Sequence, residues 1–358
     1  MRPLHQFIPT LARNDAVGRH TLEVQKVLRA YGVESEIFTE NTPEPALRSV
    51  SRPYGEFGAD GRNADAVLLY QASTGSLLSE WLYDRTDELV INYHNITPAE
   101  FFQRWEPSVA AELIVGRHQI EQLAAVTQLA IADSSYNAGE LADYGYVRTS
   151  VVPILFDATA FHVAPDQRLA AELAARRGTH WLFVGRIAPN KCQHDVVKAF
   201  AYFRRLHDPA ARLTLVGKSA SHRYYETLMA FIAELGLSEC VEVVKGASPE
   251  KLTAHFEAAD VFVCLSEHEG FCVPLLEAMY HELPVVAYRA AAVPETAGDG
   301  ALLLDSKSPA VVAAAVHRVC SDSALSKALT YAGIERLTQF TLEHSQQLMW
   351  DLLEPLVS

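Results

Sequence analysis

The sequence has few basic residues for its length. Its 358 residues include 30 lysines and arginines against 44 aspartates and glutamates, which gives a formal net charge of −14. A protein that binds nucleic acid needs a basic surface to neutralise phosphates, and one that docks on anionic lipid by charge needs the same. The balance therefore argues against both partners, although a local basic patch would be invisible in the total.

Cysteine is also scarce. The five cysteines lie far apart, all in the second half of the chain, and none forms a Cys-x-x-Cys pair. An odd, scattered set without metal-ligand spacing indicates reduced thiols, mostly buried as small hydrophobic side chains. The N-terminus lacks the apolar core of a signal peptide, and no apolar run reaches membrane-spanning length. We therefore expect a cytoplasmic protein, with a peripheral position at the inner membrane surface as the alternative.

Two chemical signatures are missing. No Asp-x-Asp motif is present to clamp a diphosphate through a divalent ion, so we expect neither a metal nor another cofactor. No Gly-x-Gly-x-x-Gly follows the first predicted strand, which argues against a dinucleotide-dependent oxidoreductase.

Short apolar runs alternate with amphipathic segments along most of the chain, a pattern typical of parallel sheets covered by helices. The pattern predicts strands at residues 4–9, 36–39, 66–70, 89–93, 129–133 and 150–154, and then at 180–185, 212–217, 241–245, 261–265, 285–288 and 301–304. Prolines and lost periodicity near residues 155–170 predict a linker. We expect two doubly wound α/β domains, at 1–160 and 166–340, that face each other across a cleft.

The stretch Leu265–Met279, "LSEHEGFCVPLLEAM", is predicted to be a strand-to-helix turn, with Pro274 at the first helical position. The backbone N–H groups of Phe271, Cys272 and Val273 would then form an anion site at the helix start, and Gly270 would let a ligand approach. Glu277 in the first turn would accept from ribose hydroxyls. The alternative is that Glu277 only complements the helix dipole and that Glu269 is a solvated loop residue.

Three further groups follow predicted strands. Arg186 and Lys191 come after the strand at 180–185, and the two cations suit a diphosphate, although each alone could be a surface residue. Gly18, preceded by Asn14 and Asp15, comes before a predicted helix at 21–31 and could admit a phosphate, or simply begin the helix. His94 follows the strand at 89–93 and could bind substrate or be satisfied by a backbone carbonyl.

These segments resemble the retaining glycosyltransferases of family 4. "SEHEGFCVPLLEAM", "VPETAGDGALLLD" and "FVGRIAPNK" carry the likeness in the C-terminal half, and "RNDAVGRH" and "YHN" carry it more loosely in the N-terminal half. The resemblance implies a GT-B fold with two Rossmann-like domains, an N-terminal one for the acceptor and a C-terminal one for the donor. It also implies that a last helix, at about 341–358, returns to the N-terminal domain.

The resemblance also assigns roles. The catalytic residues would be Glu269 on the donor sugar, Arg186 and Lys191 on the leaving diphosphate, and His94 near the reacting centre. Donor binding would fall to Gly18, Gly270, Phe271, Cys272, Val273 and Glu277, and candidate acceptor contacts are Asp15 and Asn95. The family commonly has paired glycines where this chain reads Asp15-Ala16-Val17-Gly18, and it usually has a glycine in the turn that here reads "YHELP". The loop "AAAVPE" lacks a glycine pair that many family members have.

The predicted function is transfer of a hexose, with retention and without metal, from a UDP- or GDP-sugar to a sugar-containing acceptor. The acceptor could be a polysaccharide, a lipid-linked glycan or a small metabolite. A catalytically idle nucleotide-sugar-binding or scaffolding protein of the same fold is the alternative.

Overall fold

The computed structural model describes residues 1–12, 15–58 and 65–358, and the chain divides into two compact units. Unit 1 comprises Met1–Ala99, Ser108–Phe156 and Phe340–Ser358, and unit 2 comprises Glu100–Pro107 and Asp157–Gln339.

Unit 1 is built on a parallel sheet of seven strands, with strand order β3-β2-β1-β4-β5-β6-β7. The strands are β1 (Leu4–Ile8), β2 (Ile37–Thr39), β3 (Ser51–Pro53), β4 (Val67–Ala72), β5 (Glu88–Tyr93), β6 (Thr127–Ala132) and β7 (Thr149–Val151). The six strands predicted for this half are confirmed. Edge strand β3 was missed because three residues ending in proline give no alternating pattern.

Helices cover both faces of this sheet. They are α1 (Ala16–Ala30), α2 (Leu77–Tyr83), α3 (Pro107–Leu123) and α4 (Ser135–Asp143), and the chain ends in α13 (Leu342–Val357). Helix α13 packs on α1 over a cluster of buried aliphatic residues, and the rings of Tyr31 and Trp350 stack with centroids 4.0 Å apart. The prediction that the first helix begins at residue 21 was wrong, because α1 already begins at Ala16 and includes Gly18.

Unit 2 contains the second parallel sheet, with strand order β10-β9-β8-β11-β12-β13. Its strands are β8 (His180–Val184), β9 (Arg212–Val216), β10 (Val241–Val244), β11 (Val261–Cys264), β12 (Val285–Tyr288) and β13 (Ala301–Leu304), all as predicted to within a residue. Its helices are α5 (Gln167–Ala174), α6 (Gln193–Leu206), α7 (His222–Glu234), α8 (Pro249–Ala258), α9 (Val273–Tyr280), α10 (Val293–Ala297), α11 (Pro309–Ser321) and α12 (Ser323–Leu337). The core is a cluster around Trp181, which has no solvent exposure.

A short segment from the first half of the sequence belongs to unit 2. Within Glu100–Pro107, the ring of Trp105 packs edge-on against Tyr224 at 5.1 Å between centroids, and Glu106 accepts from the Ser221 hydroxyl at 2.8 Å. The aromatic side chain of Trp105 therefore takes part in packing. None of the helices in the described part of the chain is both long enough and apolar enough to cross a membrane.

Helices α7 and α9 end in the same way but with different residues. After α7, Gly236 has φ +68°, and bonds from Gly236 N–H and Leu237 N–H to Ala233 and Ile232 close a Schellman motif. After α9, Glu282 holds the equivalent place with φ +53°, and Glu282 and Leu283 bond to Met279 and Ala278. A side chain is strained in this left-handed conformation, so the conformation of Glu282 in the turn "YHELP" lowers the stability of the folded protein.

We therefore expect Glu282→Gly to stabilise unit 2 by about 0.5–1 kcal/mol, because glycine relieves the left-handed strain. The reciprocal control is Gly236→Glu, which has open space around the new Cβ and should destabilise by a similar amount. Urea unfolding of both variants measures the change. A lower free energy of unfolding in Glu282→Gly than in wild type would contradict strain in the left-handed conformation of Glu282.

Candidate functional site

The centre of the sheet in unit 2 is the point where the strand order reverses. Neighbouring strands β8 and β11 lead into helices on their carboxyl side, and ligands of open parallel sheets bind in this crevice. The loop after β8 contains residues 185–191, and the loop after β11 contains residues 265–272. The sheet topology therefore brings together two groups of residues that are about 80 positions apart in the sequence.

Glycines let the strand ends of β8 and β9 lie close together. Gly185 has φ +153°, and a Cβ on Gly217 would lie 1.9 Å from the carbonyl oxygen of Gly185. No larger residue than glycine fits at position 217 without moving the backbone. The chain then turns to expose Arg186, whose carbonyl accepts from Gln193 Nε2 at 2.8 Å.

Hydrogen bonds tie the two loops to each other. The Glu267 N–H donates to the Asn190 carbonyl at 2.9 Å, and Asn190 Nδ2 donates to the His268 carbonyl at 3.2 Å. Next to this bridge, Lys191 Nζ lies 2.5 Å from Glu269 Oε2, which is the central ion pair of the site. The structure thus joins two residues that the sequence assigned to the diphosphate and to the sugar.

This ion pair is mostly removed from solvent, with 19% of the Lys191 side chain and 9% of the Glu269 side chain exposed. Burial opposes the charge of Lys191, but the Glu269 carboxylate more than offsets it, and the pKa of Lys191 is raised above its ordinary value. Lys191 therefore stays cationic throughout the physiological range. A buried charge that loses its partner is costly, so the pair holds both side chains in place.

Helix α9 begins one residue earlier than the sequence predicted. Its N-cap is Cys272, with φ +77°, so Val273 and not Pro274 is the first helical residue. Glu277 consequently lies in the second turn, which corrects its predicted place in the first turn. The N–H of Val273 has no acceptor within the helix and lies at the positive end of the dipole, as an anion site requires.

Gly270 and Phe271 lie just before this N-cap. The Glu269 carbonyl accepts from Ala292 N–H at 3.3 Å, and the Phe271 carbonyl accepts from the Thr296 hydroxyl. Phe271 and Cys272 are buried, whereas Gly270, Val273 and Glu277 are half-buried. The preceding loop is thus held on both sides, by the residues after β8 and by those around α10.

Sequence reasoning missed a second charged group beside the first loop. Lys307 donates to Asp195 Oδ2 at 2.8 Å and also bonds to Glu267. Burial opposes its charge, but the two carboxylates raise the pKa of Lys307. In the sequence, Lys307 is a single lysine after a predicted strand. The residues next to it in the sequence do not distinguish it from a surface lysine.

In unit 1, His94 lies at the carboxyl end of β5, and only 1% of its side chain is exposed. Its Nδ1 lies 2.9 Å from Asp133 Oδ2, after β6, and its Nε2 lies 2.7 Å from Gln71 Oε1, on β4. The carboxylate fixes the ring orientation. Asp133 and Gln71 were not singled out from the sequence, although both stand at or next to strand ends.

His20, on α1, packs edge-on against His94 with ring centroids 4.9 Å apart. Its Nδ1 accepts from the Leu155 N–H at 2.9 Å, which leaves Nε2 carrying the proton, 2.5 Å from the Asn92 amide. Rotating that amide would turn Asn92 Oδ1, otherwise unpartnered, towards this proton. Burial, and secondly the charge of His94, set the pKa of His20 well below its ordinary value.

The other predicted residues of unit 1 lie nearby. Gly18 is buried in the first turn of α1, where a Cβ would lie 2.0 Å from the Ala12 carbonyl oxygen, so close packing already requires glycine there. Asp15 is the exposed N-cap residue, and its side chain makes no capping bond. Asn95 has φ +72° and donates to Asn137 and Glu140, both at 2.8 Å. Asn14 lies outside the described residues.

Comparison with protein families places the site in unit 2 within a known domain. Residues 171–336 match the family described as "Glycosyl transferases group 1". This region contains Arg186, Lys191, Glu269 and Glu277, whereas the N-terminal half lies outside the match.

Curated relatives align over part of the chain. A "D-inositol 3-phosphate glycosyltransferase" of Salinispora arenicola (strain CNS-205) is 30% identical over 249 residues, which cover 64% of this chain and 54% of that protein. A "GDP-mannose-dependent alpha-(1-6)-phosphatidylinositol monomannoside mannosyltransferase" of Mycolicibacterium smegmatis (strain ATCC 700084 / mc(2)155) is 31% identical over 183 residues, which cover 48% of this chain and 47% of that protein. The chain spans about half the length of these relatives.

Solved structures match the fold along the whole chain. Anabaena Alr3699/HepE in complex with UDP and glucose superposes with a TM-score of 0.75 at 17% identity, covering 99% of this chain and 100% of that one. Sucrose-phosphate synthase from Thermosynechococcus elongatus gives 0.76 at 18% identity, covering 99% of each chain. The predicted GT-B fold, with two Rossmann-like parallel sheets, is confirmed.

The low pKa of His20 predicts acid sensitivity of unit 1. Below about pH 6.5 the unfolded chain binds a proton that folded His20 rejects, so stability falls as the pH drops and returns above that value. Between pH 7.5 and 5.5 the His20 contribution amounts to about 1 kcal/mol.

The measurement is urea unfolding of wild type and His20→Gln at both pH values. The stability gap between the two proteins should narrow at pH 5.5 by about 1 kcal/mol, since glutamine does not titrate. His180 and His255 also have lowered pKa values and remain in both proteins, so their contribution cancels. An equal gap at both pH values would rule out a buried neutral His20.

Proposed function

We propose that this protein is a retaining glycosyltransferase of family 4 that transfers a hexose from a UDP- or GDP-sugar to a sugar-containing acceptor in the cytoplasm. The observation that carries the proposal is the Lys191–Glu269 ion pair beside the start of α9. A cation, a carboxylate and a helix N-terminus at a strand-order reversal supply what a diphosphate sugar requires: charge neutralisation, a hydroxyl acceptor and phosphate-binding N–H groups.

The donor occupies the carboxyl edge of the sheet in unit 2. The backbone of residues 270–273 binds a phosphate, Glu277 binds the ribose, and Glu269 accepts from hydroxyls of the sugar. Lys191 and exposed Arg186 stabilise the diphosphate as it leaves. When the donor binds, Lys191 exchanges part of its contact with Glu269 for phosphate oxygens, so the ion pair keeps both groups oriented until then.

Residues of unit 1 also have proposed roles. His94 contacts the sugar near its reacting centre, and Asp133 on Nδ1 is a positioning residue that orients the ring. Gly18 and the N-terminus of α1 lie near phosphate, and Asp15 and Asn95 contact the acceptor. Because Asn95 is already bonded to Asn137 and Glu140, its contact comes from a side chain held rigidly in place.

The reaction proceeds on one face of the sugar. The bond from the anomeric carbon to the diphosphate oxygen breaks, the acceptor oxygen bonds to the same face, and the departing phosphate takes the acceptor proton. The configuration is thereby retained. Lys191 and Arg186 provide the charge stabilisation that a divalent ion supplies elsewhere, so a chelator leaves turnover unchanged. Two similar proteins support UDP or GDP as the nucleotide of the donor. The mannosyltransferase relative is GDP-mannose-dependent, and the HepE structure contains UDP.

Replacing either member of the ion pair is expected to abolish transfer. Lys191→Ala and Glu269→Ala should each lower turnover by about a hundredfold or more. The first variant removes the cation that stabilises the leaving diphosphate, and the second removes the carboxylate that contacts the sugar. The matched control is Lys198→Ala, which removes a half-exposed lysine on α6 and should keep wild-type turnover.

Transfer is measured as release of UDP or GDP with and without a sugar acceptor, after circular dichroism shows that each variant is folded. Near-wild-type turnover in folded Lys191→Ala would overturn its role. Donor binding with no release in wild type would instead favour the catalytically idle binding protein.

Glu277→Ala is expected to weaken donor binding by about tenfold, because one carboxylate contact to the ribose contributes about 1.5 kcal/mol. Isothermal titration calorimetry with the nucleoside diphosphate measures the dissociation constant. Exposed Glu257, on α8, provides the control Glu257→Ala, which should bind like wild type. Unchanged affinity in Glu277→Ala would exclude the ribose contact.

A further inference from the structure

Three side chains around the candidate donor loop form a compact group of metal-ligating atoms. The sulfurs of Cys264 and Cys272 and a carboxylate oxygen of Glu269 all lie within 4.8 Å of one another, and all three residues are buried. Cys264 ends β11, Cys272 is the N-cap of α9, and Glu269 lies in the loop between them. The turn itself therefore brings the three ligands together.

The two thiols interact. A hydrogen bond from Cys272 lowers the pKa of the Cys264 thiol, while that bond and burial raise the pKa of Cys272. Cys264 Sγ also donates to Ser266 Oγ at 3.4 Å. Cys272 is held at φ +77°, a conformation that a non-glycine residue adopts only when its surroundings enforce it.

Two thiols and a carboxylate select a particular class of cation. Zn²⁺ and Cd²⁺ accept thiolate and carboxylate together in tetrahedral sites and leave a fourth position for water or a substrate oxygen. Mg²⁺ and Ca²⁺ require oxygen ligands throughout, and this group provides only one carboxylate beside two thiols. Each bound cation would displace the two thiol protons to solvent, and with Glu269 and Lys191 the whole group would then carry no net charge.

A second group of three ligands fits less well. Cys192, His194 and Asp195 also lie within 4.8 Å of one another. However, Asp195 already binds the ammonium groups of Lys307 and Lys198, at 2.8 and 3.0 Å. Two ammonium groups repel a divalent cation, and only one thiol is present, so the Cys264 group is the stronger candidate.

We propose that Cys264, Glu269 and Cys272 form a binding site for a thiophilic divalent cation of the Zn²⁺ class. Occupancy takes the Glu269 carboxylate from Lys191, whose side chain is 19% exposed. Because Glu269 is the proposed sugar contact, the bound cation inhibits glycosyl transfer. That consequence rests on the proposed function, whereas the binding itself does not.

The binding test uses Cd²⁺ and the reduced, chelator-treated full chain. Cd²⁺ should bind with one-to-one stoichiometry, produce thiolate-to-metal charge-transfer absorption in the ultraviolet and release two protons per cation in weak buffer. Cys264→Ser and Cys272→Ser should lose most of the absorption and weaken binding by about tenfold or more.

The controls use the other cysteines. Cys240 is buried in the core, outside both ligand groups, so Cys240→Ser should bind like wild type. Cys192→Ser should also bind normally, and loss of binding in that variant would assign the cation to the second group and overturn the proposal. Should a serine variant fail to fold, Glu269→Gln keeps both thiols and should still weaken binding, whereas unchanged affinity would count against the site.

The inhibition test follows transfer in the presence of Zn²⁺. Wild type should be inhibited, and Cys264→Ser, which retains every residue assigned to the donor, should stay active at the same concentration. If Cd²⁺ produces the charge-transfer absorption but Zn²⁺ does not inhibit transfer, the inhibition of glycosyl transfer is refuted and the binding site is not. Because the absorption titration needs no substrate, it gives its result even if the proposed glycosyl transfer is wrong.

Discussion

The structure of the candidate site depends on the buried ion pair between Lys191 and Glu269, 2.5 Å apart. Two loops from different strands must meet for this contact to form, and backbone bonds through Asn190 keep them together. A charge left unpaired in this place would be destabilising, so each residue requires the other in the absence of ligand. The same requirement prepares both groups for a ligand that carries negative phosphates and hydroxyl donors.

Topology explains why the chemistry gathers here. Parallel strands expose the N-terminal ends of their following helices at one edge, and the reversal between β8 and β11 opens a crevice at that edge. Glycine is required at position 217 because the strand ends nearly touch. Strain at Cys272 and Glu282 is retained at either end of α9, which fixes where that helix starts and stops.

Much of this could be predicted from the sequence. The strands follow from short apolar runs, and Lys191 and Glu269 were singled out because they follow two of those runs. Their mutual contact could not be predicted, since strand order is a three-dimensional property. The left-handed conformation of Cys272 moved the helix start and placed Glu277 one residue further into the helix, in its second turn. No local sequence pattern predicts a cysteine in this conformation.

The polar network around His94 in unit 1 was the part of the candidate site that the sequence predicted least well. Asp133 and His20 contact His94 only because β5, β6 and α1 meet at one edge. Asp133 lies in no quoted motif, and the motif "RNDAVGRH", which ends at His20, does not indicate the contact. Gly18 shows the opposite case, since its close approach to Ala12 gives it a packing role whatever ligand lies nearby. Polar residues at strand ends therefore need the sheet order before their roles can be assigned.

In the proposed function, the turn between β11 and α9 binds a nucleoside diphosphate sugar. A thermal-shift screen of UDP-, GDP- and ADP-sugars tests it most directly, because a ligand that binds only the native state raises the melting temperature by mass action. A UDP- or GDP-sugar should raise the melting temperature of wild type, and this shift should be lost in Lys191→Ala. No shift with any of the sugars, or an equal shift in the variant, would contradict it.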